Sequence, residues 1–440
     1  INLDNVKQAL RIDDSQFVTV QSLQIDGFVK EDDDAPDPLN EAGRTGIEVV
    51  DSTDISLKAP TVEDFTDAFV ANGGGTNVTL DQAVISGASR GVLLTGTTGL
   101  QITGGTITAD GEGVTGIDAV ETGIDNATIE MPQSGLALHA IRFRTDVKAE
   151  TSGNTIRNGS AIRNADIVFA DQTDGRIDSN TLTNAAISLA GDTGTEILGN
   201  GLTTTYSTAD NEEDRPDYSK FGIEIGSSDG VIVDDNTITH QNDEGAIGGG
   251  EYGVDVTGSN AVEVTNNTIK GGATAVRGAL TTTGLLVRNN TLETGTFGVK
   301  LGGSSDTGAT IDQNTVDGFT DTGIDAPVQA VIFDNEVKNS GIGVRYDGSS
   351  IGLTRNRLHD NDTGLTGSGL LGADGPQDDT VNNIFDNNVG VAAQSGVDVQ
   401  FNRIYGNGTG VTAADNTRVH HNRIFRQSGD AVRVSGDDGV

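Results

Sequence analysis

The chain has 440 residues, with 65 acidic residues against 27 Lys and Arg, and its formal net charge at pH 7 is −38. Such a charge excludes a nucleic-acid-binding protein, because these proteins need basic surfaces. Cysteine is absent, which excludes a disulfide framework, and no apolar stretch approaches the roughly 18 residues of a membrane span.

A short repeated pattern organises the chain. It consists of apolar residues two apart, then Asn, a variable residue, and Ile, Leu or Val. In the first repeats, such as Ala9–Phe28 and Gly46–Val62, another residue takes the place of Asn. Later copies recur at about 20 to 24 residues where no insertion intervenes. The Asn positions are Asn154, Asn180, Asn200, Asn236, Asn267, Asn290, Asn314, Asn335, Asn356, Asn383, Asn402 and Asn422.

A second pattern, Gly followed by alternating apolar residues, falls between the Asn repeats, as in Phe221–Ile225 and Tyr252–Val256. Each repeat therefore contains at least two short strands, and this period without any helical pattern predicts a parallel β-helix. A leucine-rich repeat would need Leu at fixed offsets, which are absent, and a β-sandwich would not give this self-similarity. Stacking the repeats about 4.8 Å apart pairs their backbones and buries the inward aliphatic side chains.

The repeat predicts one solenoid of about 15 rungs over residues 1–440, where a rung is one complete turn. Insertions are expected near 29–43, 206–220, 242–253 and 371–380. Both ends of the sequence stop within a rung, which predicts an open β edge that pairs with further polypeptide or another subunit. The Asn residues are expected to form a structural amide ladder at one corner, where Asn also tolerates a left-handed backbone.

The two patterns, as in Val231–Ile238 and Gly253–Val256, resemble the right-handed parallel β-helix repeats of the pectate-lyase-like superfamily over nearly the whole chain. The resemblance implies an all-β, single-stranded right-handed parallel β-helix. It does not imply one activity, because the superfamily includes polysaccharide lyases, glycoside hydrolases, epimerases, viral tailspikes and adhesins. The acidity is typical of halophile proteins and points to a haloarchaeon or haloarchaeal virus; the alternative is an acidic secreted protein from an ordinary habitat.

A catalytic centre on such a fold would need carboxylates on neighbouring rungs, whose equivalent side chains lie about 4.8 Å apart. Among the residues two before the Asn position, Asp125, Asp178, Asp234 and Asp312 are never on adjacent aligned rungs. The motif set of polygalacturonase-like enzymes is also incomplete. We therefore predict no catalytic residues from the sequence.

Metal ligands are sparse as well. Asp374, Asp378 and Asp379 are weak candidates for binding a hard cation, and a solvated acidic loop is the simpler interpretation. The adjacent His420 and His421 are expected to point to opposite faces of a strand, which makes a poor metal site. The lack of Cys, the single Met and the few His argue against soft metals. No cofactor is predicted, although the acidic surface is compatible with bound cations.

The best candidate binding site lies in two predicted insertions that carry three of the five Tyr residues. Aromatic rings and carboxylates on loops over a rigid scaffold can hold a sugar or a partner, and the alternative is that the rings pack on the solenoid itself. The candidate ligand-binding residues are Tyr206, Glu213, Asp214, Arg215, Tyr218, Glu251 and Tyr252.

The leading hypothesis is an extracellular structural or adhesive β-solenoid, such as a cell-surface, filament or virion-appendage protein. It would present loops to glycans or neighbouring subunits. Its expected partners are copies of itself, other surface or virion subunits, and polysaccharide, with neither nucleic acid nor a transmembrane segment. One alternative is a polysaccharide lyase or glycoside hydrolase of the β-helix type, and another is a periplasmic-type ligand-binding or metal-binding β-helix protein.

Overall fold

The structure, a computed structural model, describes residues 8–27, 44–74, 76–131, 139–144, 154–157, 161–164, 166–206, 221–242, 247, 250–279, 281–302, 308–327, 330–348, 352–373 and 380–434. These residues form strands and turns and no helix. The predicted fold class is confirmed, because the chain is a right-handed parallel β-solenoid of about 14 turns. It divides into two compact units: unit 1 is Ile1–Thr204 with Asp210–Ser219, and unit 2 is Thr205–Ala209 with Lys220–Val440.

The strands up to Tyr206 are β1 (Gln8–Asp13), β2 (Thr19–Gln21), β3 (Gln24–Asp26), β4 (Thr45–Val50), β5 (Thr53–Lys58), β6 (Thr61–Glu63), β7 (Asp67–Asn72), β8 (Thr76–Asp81), β9 (Val84–Thr95), β10 (Gln101–Thr103), β11 (Thr106–Ile117), β12 (Gly123–Asp125), β13 (Thr128–Glu130), β14 (His139–Arg144), β15 (Thr155–Arg157), β16 (Ala161–Arg163), β17 (Asp166–Ala170), β18 (Arg176–Asp178), β19 (Thr181–Thr183), β20 (Ile187–Ala190), β21 (Glu196–Leu198) and β22 (Gly201–Tyr206).

The strands from Phe221 onward are β23 (Phe221–Gly226), β24 (Ile232–Asp234), β25 (Thr237–Asn242), β26 (Tyr252–Thr257), β27 (Glu263–Thr265), β28 (Thr268–Lys270), β29 (Thr274–Ala279), β30 (Leu286–Arg288), β31 (Thr291–Gly302), β32 (Ala309–Asp312), β33 (Thr315–Ala326), β34 (Ala330–Phe333), β35 (Glu336–Lys338), β36 (Ile342–Tyr346), β37 (Leu353–Thr354), β38 (Arg357–His359), β39 (Thr363–Gly367), β40 (Leu370–Gly372), β41 (Asn382–Phe385), β42 (Val389–Ala393), β43 (Asp398–Gln400), β44 (Asn402–Tyr405), β45 (Thr409–Ala413), β46 (Arg418–His420), β47 (Arg423–Phe425) and β48 (Val432–Val434).

Each rung contributes up to three strands, and each strand pairs in parallel with the equivalent strand of the next rung. In unit 2, face 1 contains the strands with the Gly pattern, such as β26 and β29. Face 2 contains the strands that precede the Asn, such as β27 and β30. Face 3 contains the strands that follow it, such as β25 and β28. Unit 1 repeats this arrangement, with β4 and β7 on face 1, β5 and β8 on face 2, and β3 and β6 on face 3.

Strand alternation sends every second side chain into the solenoid, where like residues stack on like residues. On face 2 of unit 2, Val233 pairs in register with Val264, and Val264 with Val287, and all three are fully buried. On face 2 of unit 1, Ile156 and Ile177 do the same. Burying each such side chain stabilises the fold by about 1.5–3 kcal/mol, so each unit has a continuous aliphatic core.

An amide ladder occupies the corner between faces 2 and 3 of unit 2. The Nδ2 of each ladder Asn donates to the Oδ1 of the Asn one rung on, at 2.9–3.2 Å. The left-handed backbone conformation expected at the ladder Asn occurs instead at the residue before it, for example at Asn266 (φ 57°). The ladder comprises Asn236, Asn267, Asn290, Asn314, Asn335, Asn356, Asn382, Asn402 and Asn422, and unit 1 has the equivalent pair Asn180 and Asn200.

Two of the predicted ladder residues are wrong. Asn154 precedes β15, a face 2 strand, and therefore lies at another corner, where it donates to the Gln172 Oε1 (2.7 Å) and accepts from the Thr122 N–H (2.9 Å). Asn383 is one residue too late, because Asn382 holds the ladder position and Asn383 turns outward. The pattern of Asn, any residue and Ile also fits the start of a face 2 strand, so the pattern alone does not identify the corner.

A second amide ladder lies between faces 3 and 1 of unit 2, and the sequence patterns did not reveal it. The backbone N–H of Asn361 donates to Asn387 Oδ1 (2.9 Å), and that of Asn387 donates to Asn407 Oδ1 (3.0 Å). The N–H of Asn407 donates to Gln427 Oε1 (2.8 Å). These side chains satisfy backbone groups that the corner would otherwise bury unpaired.

The Gly of the second pattern lies where neighbouring rungs approach closely. A Cβ atom on Gly364 would lie 2.7 Å from the carbonyl oxygen of Gly390 and 2.7 Å from the Cγ2 of Ile384. Real Cβ atoms do not come this close to other atoms. The pattern therefore has Gly at the start of face 1 because a side chain would not fit there.

The predicted insertions are only partly covered by the described residues. Residues 29–43 and 207–220 lie outside them, whereas Tyr252 begins β26 and Leu370 begins β40. No helix that could cross a membrane occurs in the part of the chain that the structure describes.

Candidate functional site

The structure describes only part of the predicted site. Glu251 and Tyr252 are described, and Tyr206 ends β22. The remaining predicted ligand-binding and cation-binding residues lie outside the described residues and stay predictions, namely Glu213, Asp214, Arg215, Tyr218, Asp374, Asp378 and Asp379.

Tyr252 lies on the outward surface of face 1 and not on a loop. Its register partner in the preceding rung is Phe221, and the two rings stack with centroids 5.8 Å apart and planes 16° apart. The Arg277 guanidinium, from the following rung, lies 4.5 Å from the Tyr252 ring centroid. A cation over an aromatic ring is attracted by the electrons of its face, so these contacts hold both side chains in place.

A row of charged side chains runs next to these rings. Glu224, Asp255, Arg277, Lys300 and Asp325 are successive register partners on face 1. Successive rungs are about 4.8 Å apart, so neighbouring charged groups in this row are separated by about that distance. In order along the row they are two acids, two bases and a third acid. The adjacent acids Glu224 and Asp255 lie on face 1, outside the positions beside the ladder Asn that the sequence repeat aligns.

Asp255 has the most perturbed environment in this row. It is only 4% exposed, and the Nε of Arg277 lies 3.5 Å from its Oδ1. Burial raises the pKa of Asp255 to about 6; Arg277 opposes this shift, while Glu224 and Glu251 add to it. A carboxyl group with this pKa can exchange a proton near neutral pH, as an acid or base catalyst must.

The two cations of the row are supported by aromatic rings. Arg277 lies over Tyr252, and the Nζ of Lys300 lies 3.8 Å from the centroid of the Phe297 ring. Two positive groups held on neighbouring rungs can receive the anionic or hydroxyl groups of a chain-like ligand. We call Phe221, Glu224, Tyr252, Asp255, Arg277, Phe297 and Lys300 the Tyr252 cluster.

The side chains of the Tyr252 cluster follow one another along successive rungs of face 1. A surface pocket of about 280 Å³ lies elsewhere in unit 2, around residues 318–320, 339–341, 360 and 362, and shares no residue with the cluster. Small molecules usually bind in enclosed pockets, so an exposed row along successive rungs suits an extended ligand better.

The comparisons with known proteins indicate the fold but do not assign an activity. Residues 218–412, less than half of the chain, match the family described as "Periplasmic copper-binding protein (NosD)". No curated protein matches the sequence.

Several solved structures are similar at low identity. A mutant of the periplasmic alginate epimerase AlgG is 12% identical, over 73% of this chain and 78% of that chain, with a TM-score of 0.47. PfbA, a surface adhesin of Streptococcus pneumoniae, is 12% identical over 76% and 85%, with a TM-score of 0.42. A PL6 alginate lyase in complex with a trisaccharide is 13% identical over 95% and 88%, with a TM-score of 0.36.

The donor atoms of the described residues do not fit a copper site. Copper favours Cys, Met and His ligands. The chain has no Cys, and its one methionine, Met131, is fully buried. Among the residues the structure describes, no group of three or more His, Cys, Asp or Glu side chains is arranged so that it could hold a metal ion. His420 and His421 do face each other, with Nδ1 atoms 2.7 Å apart, because the left-handed backbone of His421 breaks the expected alternation.

Proposed function

We propose that this protein is an extracellular or periplasmic β-solenoid that binds polysaccharide on face 1 of unit 2. The observation that carries this proposal is the Tyr252 cluster, in which Arg277 and Lys300 occupy adjacent rungs and each contacts a half-buried aromatic ring. A rigid row with one charged group per rung can bind several sugar residues at once, and each rung adds a contact. A structural or adhesive role at a cell, filament or virion surface, in a salt-adapted source, fits the net charge of −38.

The binding proposal is tested with two variants and a matched control. Immobilised neutral and acidic polysaccharides would be titrated with the parent protein, Tyr252→Ala and Arg277→Gln. The control is Arg355→Gln, which also removes one positive charge, but from an exposed side chain outside the Tyr252 cluster that pairs with Asp334 at 2.7 Å. We expect binding to weaken about tenfold in Arg277→Gln, because a charged hydrogen bond contributes about 1.5–3 kcal/mol.

Tyr252→Ala should weaken binding as well, because the Arg277 guanidinium loses the ring that positions it. The control should bind like the parent protein. Equal binding by all four proteins, with unchanged circular dichroism, would place the polysaccharide site elsewhere or exclude it.

A second candidate function is a polysaccharide-modifying enzyme. It is favoured by the raised pKa of Asp255, about 6, with the Arg277 cation and the Glu224 carboxylate on the adjacent rungs. In that case Asp255 would accept or donate the proton, and Arg277 would stabilise negative charge on the sugar. Reducing ends, unsaturated products and sugar epimers would be measured after incubation with the polysaccharides that bind.

Asp255→Asn should abolish product formation while retaining polysaccharide binding. If the parent protein binds polysaccharide but releases no product from it, the enzyme candidate fails and the binding proposal stands.

A further inference from the structure

A second cluster of aromatic and cationic side chains lies on face 3 of unit 2. The rings of Phe385 and Tyr405 stack with centroids 5.0 Å apart and planes 6° apart, and those of Tyr405 and Phe425 stack at 5.2 Å and 12°. His359 stacks on the other side of Phe385 at 4.7 Å. Four successive rungs therefore carry one continuous stack of rings on the outward surface of β38, β41, β44 and β47.

The stack turns the edges of its rings toward solvent. Phe385 has a ring on each side, and so does Tyr405, so both faces of these two rings are covered. An aromatic ring is electron-rich on its faces and electron-poor at its edge. The stack therefore offers partially positive edges, which suit an anion better than they suit the apolar face of a neutral sugar.

Two arginines lie against the rings of this stack. Arg403 and Arg423 each stand two residues before a ring in the same strand, and they are register partners on adjacent rungs. Their guanidinium carbons lie 5.3 Å from the Tyr405 ring centroid and 5.2 Å from the Phe425 ring centroid, respectively. Both side chains are exposed. We call Phe385, Arg403, Tyr405, Arg423 and Phe425 the arginine–aromatic stripe.

The arginines of the stripe lack a carboxylate partner, although the protein has an excess of acids. Among the described residues, no carboxylate oxygen lies within 4.0 Å of a guanidinium nitrogen of Arg403 or Arg423. By contrast, Arg355 pairs with Asp334 at 2.7 Å, and Arg357 lies 3.4 Å from Glu336. In a chain of net charge −38, two adjacent exposed guanidinium groups with no acid of the described residues within ion-pair distance are available to an external anion.

The spacing of the stripe fits a linear polymer. Adjacent rungs are about 4.8 Å apart, which is close to the length of one pyranose residue in an extended chain. A second copy of this protein fits less well, because only some of its acids, such as Glu224 and Asp255, are register partners on adjacent rungs, and other acids are not. Asp234, for example, pairs in register with Thr265, and Asp312 pairs with Phe333.

We propose that the arginine–aromatic stripe binds a linear acidic polysaccharide, one that carries a carboxylate or sulfate group on each sugar. The anionic groups of neighbouring sugars pair with Arg403 and Arg423, whose planar guanidinium groups bind such oxyanions through two hydrogen bonds. The ring edges of Phe385 and Tyr405 line the rest of the proposed binding surface. This site is independent of the Tyr252 cluster, which is on face 1.

The test uses a double variant, Arg403→Gln with Arg423→Gln. The matched control is Arg163→Gln with Arg355→Gln, which removes the same charge from two exposed arginines that are already paired with acids. The probes are polygalacturonate, dextran sulfate, neutral dextran and double-stranded DNA. Affinity is measured by calorimetry in the lowest salt at which circular dichroism shows the protein folded, and again at high salt, where screening weakens ion pairing.

We expect the parent protein and the control to bind polygalacturonate or dextran sulfate, and the double variant to bind at least about tenfold more weakly. Comparing the two acidic polymers identifies whether carboxylate or sulfate is preferred. Replacing both arginines with Lys should restore binding only in part, because an ammonium group cannot form the paired hydrogen bonds.

Three outcomes would overturn the proposal. The double variant could bind the acidic polymers as tightly as the control. DNA could bind equally tightly with the same loss, which would make the stripe a general polyanion site. Sedimentation could instead show that the parent protein forms a dimer that the double variant loses, which would assign the stripe to a second copy. Binding that is lost in Tyr252→Ala but kept in the double variant would support the face 1 site alone.

Discussion

The adjacent residues Asn382 and Asn383 allow a sharp test of the amide ladder. The Asn382 side chain accepts from the backbone N–H of Asn356 (3.0 Å) and donates to the Leu353 carbonyl oxygen and the Asn402 Oδ1 (both 3.0 Å). Asn382→Ala removes the partner of these three buried groups and of the Asn356 Nδ2, which also donates to the Asn382 Oδ1 at 3.0 Å. Each unpaired group costs about 1–3 kcal/mol, so we expect local stability to fall by at least about 3 kcal/mol. Asn383→Ala, at an outward position, should change it by less than about 0.5 kcal/mol.

Hydrogen exchange followed by mass spectrometry suits this comparison, because a repeat protein can open locally without unfolding completely. Peptides that cover β37, β38, β41 and β44 should exchange faster in Asn382→Ala than in the parent protein. In Asn383→Ala the same peptides should exchange at the parental rate. If the two variants exchange alike, the ladder hydrogen bonds do not stabilise these rungs and the reasoning is refuted.

Three further predictions concern packing and charge. Gly364→Ala should destabilise the protein by about 1–3 kcal/mol in thermal melts because its Cβ has no space, whereas Gly201→Ala, with no atom within 4 Å of the added Cβ, should not. Ile269→Asp should unfold several rungs because it buries an unpaired charge, while Thr268→Asp, at a half-exposed position, should melt normally. The folded-state pKa of Asp255 is raised from 3.8 to about 6, so its stabilising contribution is complete below about pH 4 and is lost as the pH rises through 6. Asp255→Asn should therefore gain stability relative to the parent protein over that range, and parallel pH profiles of the two melting temperatures would contradict this.

The Tyr252 cluster shows why the sequence revealed only part of the candidate site. Tyr252 and Glu251 stood out because Tyr is rare in this chain and because both fall near a predicted insertion. Arg277 and Lys300 did not stand out, because each is one charged residue in an ordinary strand of its own rung. They become neighbours only when the register of β26, β29 and β31 is known.

The arginine–aromatic stripe was visible in the sequence in part. Arg357, Arg403 and Arg423 each directly follow an Asn of the repeat, a pattern that an exposed and solvated strand edge also explains. The rings of Tyr405 and Phe425 follow Arg403 and Arg423 by two residues, and Phe385 holds the same position in the preceding repeat. Strand alternation already places these rings on the same outward side as the arginines. The alternation does not give how closely the rings stack, nor that no acid of the described residues lies within ion-pair distance of Arg403 or Arg423.

The sequence by itself determined the solenoid. A rung cannot bury its own aliphatic side chains, so a repeat of alternating apolar residues, Asn and Gly has a stable solution only when copies stack. Tertiary structure alone decided which corner each Asn occupies, as the errors at Asn154 and Asn383 show, and which charged residues face each other on neighbouring rungs. Those contacts join residues about 20 to 30 positions apart, and insertions of variable length change that offset from rung to rung, so no fixed spacing in the sequence specifies them.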